Sequence, residues 1–244
     1  MGSMEAIISS RIMRNSHAYV VHEIGLSIIN GDYPIAAVLP GDVELMDKYS
    51  VSRTVIREAM KTLGAKGLIV ARSKVGTKVC EFENWNLLDY DVLAWHFEAG
   101  VDEPFLRSLS EVRLSFEPYA TQLAAKNASA EDITQLYQLC AQMVEDQVTR
   151  EQRVAIDVKF HLYVLKTSKN PIMHSVGSML EAAITGILTI GSLKDNDDKV
   201  LRNAKAHLAV VAAIEERDTT RAQSAMTHII ELDLERIMGD EKSS

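Results

Sequence analysis

Cysteine is scarce in this chain: Cys80 and Cys140 are the only two in 244 residues. Two isolated thiols cannot staple a small secreted fold, so reduced cysteines in a cytoplasmic protein are expected. Long apolar runs are also missing. The longest weakly polar stretch, 182–192, contains Thr, Gly and Ser and falls short of the roughly 20 apolar residues that span a bilayer. The amino terminus lacks a basic-then-apolar signal pattern, and Ala6 stands where a myristoylation signal needs Ser or Thr. No membrane partner is expected, and Met1-Gly2-Ser3-Met4 reads as an expression scar. Low-complexity tracts and fixed-period repeats are absent. So are a Gly-rich phosphate loop, a zincin motif and a Ser-His-Asp order, which leaves little ground for an enzyme.

Basic charge is in deficit overall, with 26 Lys plus Arg against 34 Asp plus Glu, but the deficit is uneven. Residues 1–80 carry 10 basic and 7 acidic side chains and residues 81–244 carry 16 and 27, giving net charges of +3 and −11. Between Lys48 and Lys78, Lys48, Arg53, Arg57, Lys61, Lys66, Arg72, Lys74 and Lys78 face the single acid Glu58. Such a local basic face is the electrostatic footprint of phosphate contact.

The pattern beneath those charges is a helix-turn-helix. Leu45, Met46 and Tyr49 predict a short helix, Ser50 and Val51 a turn, and Ser52 a cap for a second helix through Ile56, Ala59, Met60 and Leu63. Gly67 stops that helix, and the segments 68–71 and 75–79 predict a two-stranded wing. After a polar stretch at 81–88, helices are predicted over 89–99, 103–126, 130–149, 153–167, 171–192, 195–216 and 219–238. The expected fold class is therefore mainly α: a winged helix-turn-helix in residues 1–80, a linker at 81–88 and an all-helical bundle in 89–244.

Leu39-Pro40, Glu44-Leu45, Val51-Ser52-Arg53-Thr54, Ile56-Arg57-Glu58-Ala59, Leu63, Gly67-Leu68-Ile69 and Gly76-Thr77 together resemble the winged-helix signature of the GntR transcription regulators. The resemblance implies a double-stranded, near-palindromic DNA operator, a homodimer, and contacts from Arg53, Thr54 and Arg57, with Lys74 and Gly76 in the wing. Two positions depart from the pattern. Val43 stands where most members have a DNA-contacting Arg, and Lys74 where many have a wing Gly.

In the helical part, Asp157 and His161 lie one helical turn apart, His207 falls in a stripe with Val200, Ala204, Val211 and Ile214, and His228 in a stripe with Ala225 and Leu232. All four are expected to point inward. Such a set suits zinc, nickel, iron or manganese. The C-terminal part is similar to the FCD ligand-sensing domain of the FadR branch of GntR regulators. Its metal-binding members use an Asp, the His four residues later and two further His, which correspond here to Asp157, His161, His207 and His228. That resemblance implies a divalent metal cofactor, zinc favoured, and a small carboxylate effector held beside it, with Arg113 as an effector contact. A salt bridge from Arg113 to Glu117 is the competing role. Residues 84–89 and 91–95 resemble the junction of members that respond to sugar acids, although Trp85 and Trp95 read as packing residues. Two rival readings stand beside the sensor. One is a DNA-binding regulator whose metal is purely structural, and the other a metal-dependent hydrolase using His174 or Glu181 as base.

Overall fold

The computed structural model describes residues 16–145, 147–192 and 197–238. Residues 1–4, expected as an expression scar, Ala6 and the expected helix start at Asp195 lie outside the described residues. Two compact units divide after Gly100.

Among the described residues the first unit opens with α1 (Ser16–Ile29), an element absent from the sequence reading, whose Val20, Val21, Ile24 and Ile28 form one buried stripe. Helix α2 (Asp42–Tyr49) begins where the Glu44 carboxylate accepts the Gly41 N–H, and ends at Ser50 in the left-handed region (φ 54°). Two residues later Ser52 caps α3 (Arg53–Ala65) by accepting the Val55 N–H at 3.4 Å. Ile56, Ala59 and Leu63 are fully buried along the inner face of α3 against α1 and α2, leaving its opposite face in solvent. Gly67 then turns the chain with φ 78°, and a Cβ there would come within 2.0 Å of the Asn84 carbonyl oxygen, so only glycine fits. Strands β1 (Ile69–Arg72) and β2 (Gly76–Val79) pair antiparallel, Ile69 opposite Val79 and Arg72 opposite Gly76, with Val38 bridging to Lys78 on the far edge.

Helix α4 (Tyr90–Ala99) packs on α1 and belongs to this unit, although the sequence predicts it as the first helix of the bundle. Side chains from α1 and from the end of α3 hold it there. Lys66, just past α3, donates to Asp89 at 2.6 Å and Asp91 at 2.7 Å, and the Trp95 indole lies so close to Gly25 on α1 that a Cβ would collide with it. The stretch expected as a linker is likewise folded: Trp85 Nε1 donates to the Cys80 carbonyl at 3.1 Å, after a 3-10 turn at Phe82–Asn84.

The second unit is wholly helical among its described residues: α5 (Glu103–Asn127), α6 (Ala130–Gln142), α7 (Arg150–Thr167), α8 (Pro171–Ser175), α9 (Gly177–Ser192), α10 (Asp197–Glu215) and α11 (Thr219–Met238). Asp102, Ser129, Thr149 and Asn170 each accept backbone N–H groups as caps. Thr149 thus opens α7 and does not end α6, which stops at Gln142, short of the expected 149; the helix expected over 171–192 breaks at Val176. Helix α5 packs along α11 and against α7 and α10, around a core that includes Leu136, Phe160, Val164, Val210, Ile214, Met226 and Ile230.

Candidate nucleic-acid interface and metal centre

The first three residues of α3 follow the Ser52 cap directly, and Arg53, Thr54 and Arg57 all project into solvent from the exposed face. Arg53 Nε lies 3.3 Å from Asp42 at the start of α2, an exposed pair that leaves the rest of the guanidinium free to reach outward. Glu58 is the one acid on this face; its carboxylate, lowered chiefly by hydrogen bonding to Lys61, is engaged at 2.7 Å. At the wing tip Lys74 occupies the left-handed region (φ 62°), which explains why glycine suits that position, and Gly76 follows at φ 112°. Val43 is 62% exposed on α2, an apolar side chain that offers no hydrogen bond to a base edge.

In the helical unit the sequence-derived set comes together in part. Asp157 and His161 on α7 meet His207 on α10, and one ligand atom from each lies within 4.8 Å of the others. All three are buried. His161 Nε2 is 3.2 Å and His207 Nε2 3.4 Å from Asp157 Oδ1, and none of these three atoms makes a hydrogen bond among the described residues. Buried polar atoms left in that condition are costly unless a cation joins them. Zinc ligated tetrahedrally at ~2.0–2.1 Å holds neighbouring ligand atoms about 3.3 Å apart, so these spacings fit such an ion.

The rings are oriented for it. His207 Nδ1 donates to the Asn203 backbone carbonyl at 2.9 Å, and His161 Nδ1 donates to Glu117 Oε2. Both acceptors hold a proton on Nδ1 and turn Nε2 of each ring toward Asp157. Burial opposes a charged imidazole at His161, but Glu117 and Asp157 on either side override it and lift the pKa to about 9. Burial also opposes ionisation of Asp157, yet His207 and His161 hold its carboxyl well below the usual range. The pocket is built to hold positive charge.

His228 does not join the cluster. It is exposed on α11, lining a surface depression with Asp198, Arg202 and Lys205, because α11 buries the stripe Ala222, Met226, Ile229, Ile230 and Asp233. That stripe contains more apolar surface than Ala225, His228 and Leu232, and it ends in a carboxylate that meets a buried guanidinium. The guanidinium is that of Arg113, fully buried on α5, with Nε donating to Glu117 at 2.6 Å and Nη1 to Asp233 at 3.0 Å. Burial works against its charge, but the two carboxylates outweigh burial and raise its pKa. The competing role for Arg113, pairing with Glu117, is therefore present, and only Nη2 lacks a partner among the described residues. His174 and Glu181 are both exposed, and neither belongs to the buried cluster.

Sequence reasoning passed over Asn203 and Asp233 and met Glu117 only as a partner of Arg113. Asn203 had a legible signal, since it precedes His207 by one helical turn on the same face.

Residues 17–79 match the bacterial regulatory proteins of the gntR family, and residues 108–232 match the FCD domain. The chain belongs to the gntR family of bacterial regulatory proteins. This gntR-family regulator is 32% identical to YieP of Escherichia coli K12, an uncharacterised HTH-type transcriptional regulator, over 85% of its own length and 90% of the relative's. It is 29% identical to the galactonate operon transcriptional repressor of the same organism, over 86% of this chain and 92% of that one. Among solved structures, that of Lar, which controls expression of the Listeria monocytogenes agr system, superposes with a TM-score of 0.63 at 16% identity, covering 91% of this chain and 96% of that chain. That likeness concerns the fold. The FCD domain places the regulator with the FadR-type branch, as a DNA-binding transcription regulator. Among the described residues no helix is long and apolar enough to cross a membrane.

Proposed function

We propose that this regulator is a cytoplasmic repressor, a homodimer on a near-palindromic operator, released when a small carboxylate binds beside a divalent metal held by Asp157, His161 and His207. The convergence of three buried ligand atoms without hydrogen-bond partners carries the reading. Three protein ligands, with His228 turned away, leave a tetrahedral ion one position for an effector oxygen. Zinc is favoured by the two imidazoles and single carboxylate, and nickel, iron or manganese also suit them. When bound, the ion would supply a Lewis-acidic contact for the effector's carboxylate.

A sugar acid is the favoured effector, since the relative in Escherichia coli is a galactonate operon repressor and the 84–95 stretch resembles sugar-acid responders. Arg113 offers Nη2 as a further contact. Such a ligand weakens DNA binding only through its differential affinity for a dimer whose winged helices are misplaced for the groove. Arg53, Thr54 and Arg57, with Lys74 and Gly76, form the operator-contacting set.

The test is fluorescence anisotropy on operator DNA with the metal-loaded protein, across sugar acids, aromatic acids, dicarboxylates and neutral sugars. A carboxylate should release DNA and raise the thermal midpoint, while neutral sugars stay inert. Arg113→Lys should blunt the response and preserve the buried charge; Arg113→Ala would strand Glu117 and Asp233 and unfold the bundle. One observation favours a second reading, in which the metal is purely structural: Arg113 is already engaged by two carboxylates. If no carboxylate shifts DNA affinity while the metal is bound, that reading replaces the sensor.

A further inference from the structure

We infer that Glu117 and Asn203 are positioning residues of the metal centre, which fix the tautomers of both histidines and select the ligating oxygen of Asp157. The inference rests on the metal reading above and concerns how this chain prepares the site.

Glu117 uses both oxygens. Oε1 accepts from Arg113 Nε at 2.6 Å and Oε2 accepts from His161 Nδ1. A carboxylate paired with a guanidinium can only accept, so a proton of His161 is held on Nδ1, and Nε2 is the ring atom presented to the site for ligation. Asn203 does the equivalent work on the other side with two different groups. Its backbone carbonyl, also only an acceptor, holds the proton of His207 on Nδ1. Its side-chain Nδ2 donates to Asp157 Oδ2 at 2.8 Å, which occupies that oxygen and leaves Oδ1 facing the two Nε2 atoms.

The arrangement follows from helix periodicity on three elements. Arg113 and Glu117 on α5, Asp157 and His161 on α7, and Asn203 and His207 on α10 are each one turn apart, so each helix supplies adjacent groups on one face. Each ligand is thereby held by a group on a neighbouring helix or on the preceding turn. A ligand set oriented before the ion arrives loses less conformational freedom on binding, and outer groups of this kind are typically worth 10–100-fold in metal affinity.

The experiment measures zinc affinity of the full chain by competition with a chromophoric chelator, together with the visible absorption of the cobalt-substituted protein. Asn203→Ala keeps the backbone carbonyl and removes only the amide, and Asn203 is half-buried, so the fold should survive. We expect Asn203→Ala and Glu117→Gln each to weaken zinc binding by ~10- to 100-fold and to alter the cobalt spectrum, which a merely structural network would not do. Proton–nitrogen correlation spectra of the zinc-loaded wild type should show both rings with the hydrogen on Nδ1 and the metal on Nε2. That measurement decides the role of Glu117 even if its variant does not fold. A wild type that takes up no zinc overturns the metal reading and the inference together. Zinc binding that survives both substitutions unchanged, or a ring ligating through Nδ1, overturns the inference and leaves the metal reading standing.

Discussion

Arg57 on the outer face of α3 and His207 on the inner face of α10 show how much a single side chain's direction decides. Arg57 is exposed one turn after Arg53, near the start of a helix whose other side is locked into the core by Ile56, Ala59 and Leu63. Residues there reach base edges in helix-turn-helix proteins, so Arg57→Ala should reduce specific operator binding by about 1–3 kcal/mol. Anisotropy titrations on operator and unrelated DNA would separate that loss from a general loss of phosphate contact. His207 is fully buried and aims Nε2 at Asp157, whereas His228 is exposed. His207→Ala should therefore lower the metal content of the purified protein, and His228→Ala should leave it unchanged by elemental analysis. Equal losses from both variants would show that His228 ligates after all, from a rotated α11. Residue types and spacing alone made these two histidines look alike, because each lies in a stripe with apolar neighbours. Only the packing of α11, with Met226, Ile229 and Ile230 inward, sets them apart.

At the scale of elements, termini are where local chemistry is most legible. Ser52, Asp89, Ser129 and Thr149 all cap helices as their residue types imply, since a short oxygen-bearing side chain satisfies N–H groups that the first turn leaves open. Gly67 ends α3 at φ 78° against the Asn84 carbonyl. Gly67→Ala should destabilise the first unit by more than about 1 kcal/mol, read as a lower thermal midpoint and weakened DNA binding together. Asp132 at the start of α6 is held from three sides: the Ser129 N–H and hydroxyl at 2.9 Å, Lys169 on the segment after α7 at 2.9 Å, and Tyr163 on α7 at 3.1 Å. Burial opposes its charge, but these donors outweigh burial and press the carboxyl well below its ordinary value. A depressed carboxylate contributes stability that is complete above the ordinary aspartate value of about 3.9 and is lost as pH falls through the lowered one. Asp132→Asn should thus cost about 1–3 kcal/mol at neutral pH and flatten the loss of stability below pH ~4, as measured by denaturant melts across pH. What local signals did not convey is where α4 belongs. Its sequence is simply amphipathic, and its attachment depends on Lys66 and Gly25, residues well before it in the chain.

For the whole molecule, one winged helix covers a half-site, so the proposed operator complex needs two copies of the chain. Sedimentation should show a dimer, and footprinting should show two protected half-sites about 34 Å apart, one helical turn of DNA. A monomer protecting a single half-site would exclude the proposed assembly. The sequence by itself determined the helix-turn-helix, the wing, the all-helical second half and the pairing of Asp157 with His161. Those rest on spacings of three or four residues, on cap and breaker chemistry and on clustered charge, all of which act within a few residues. Tertiary structure alone decided that α4 joins the first unit, that Asn203 and Glu117 stand behind the ligands, that Asp233 meets Arg113, and that His228 faces solvent. The last three depend on the rotation of a helix about its own axis. That rotation is chosen by which of two neighbouring stripes buries more apolar surface and satisfies more buried charge against residues distant in the chain.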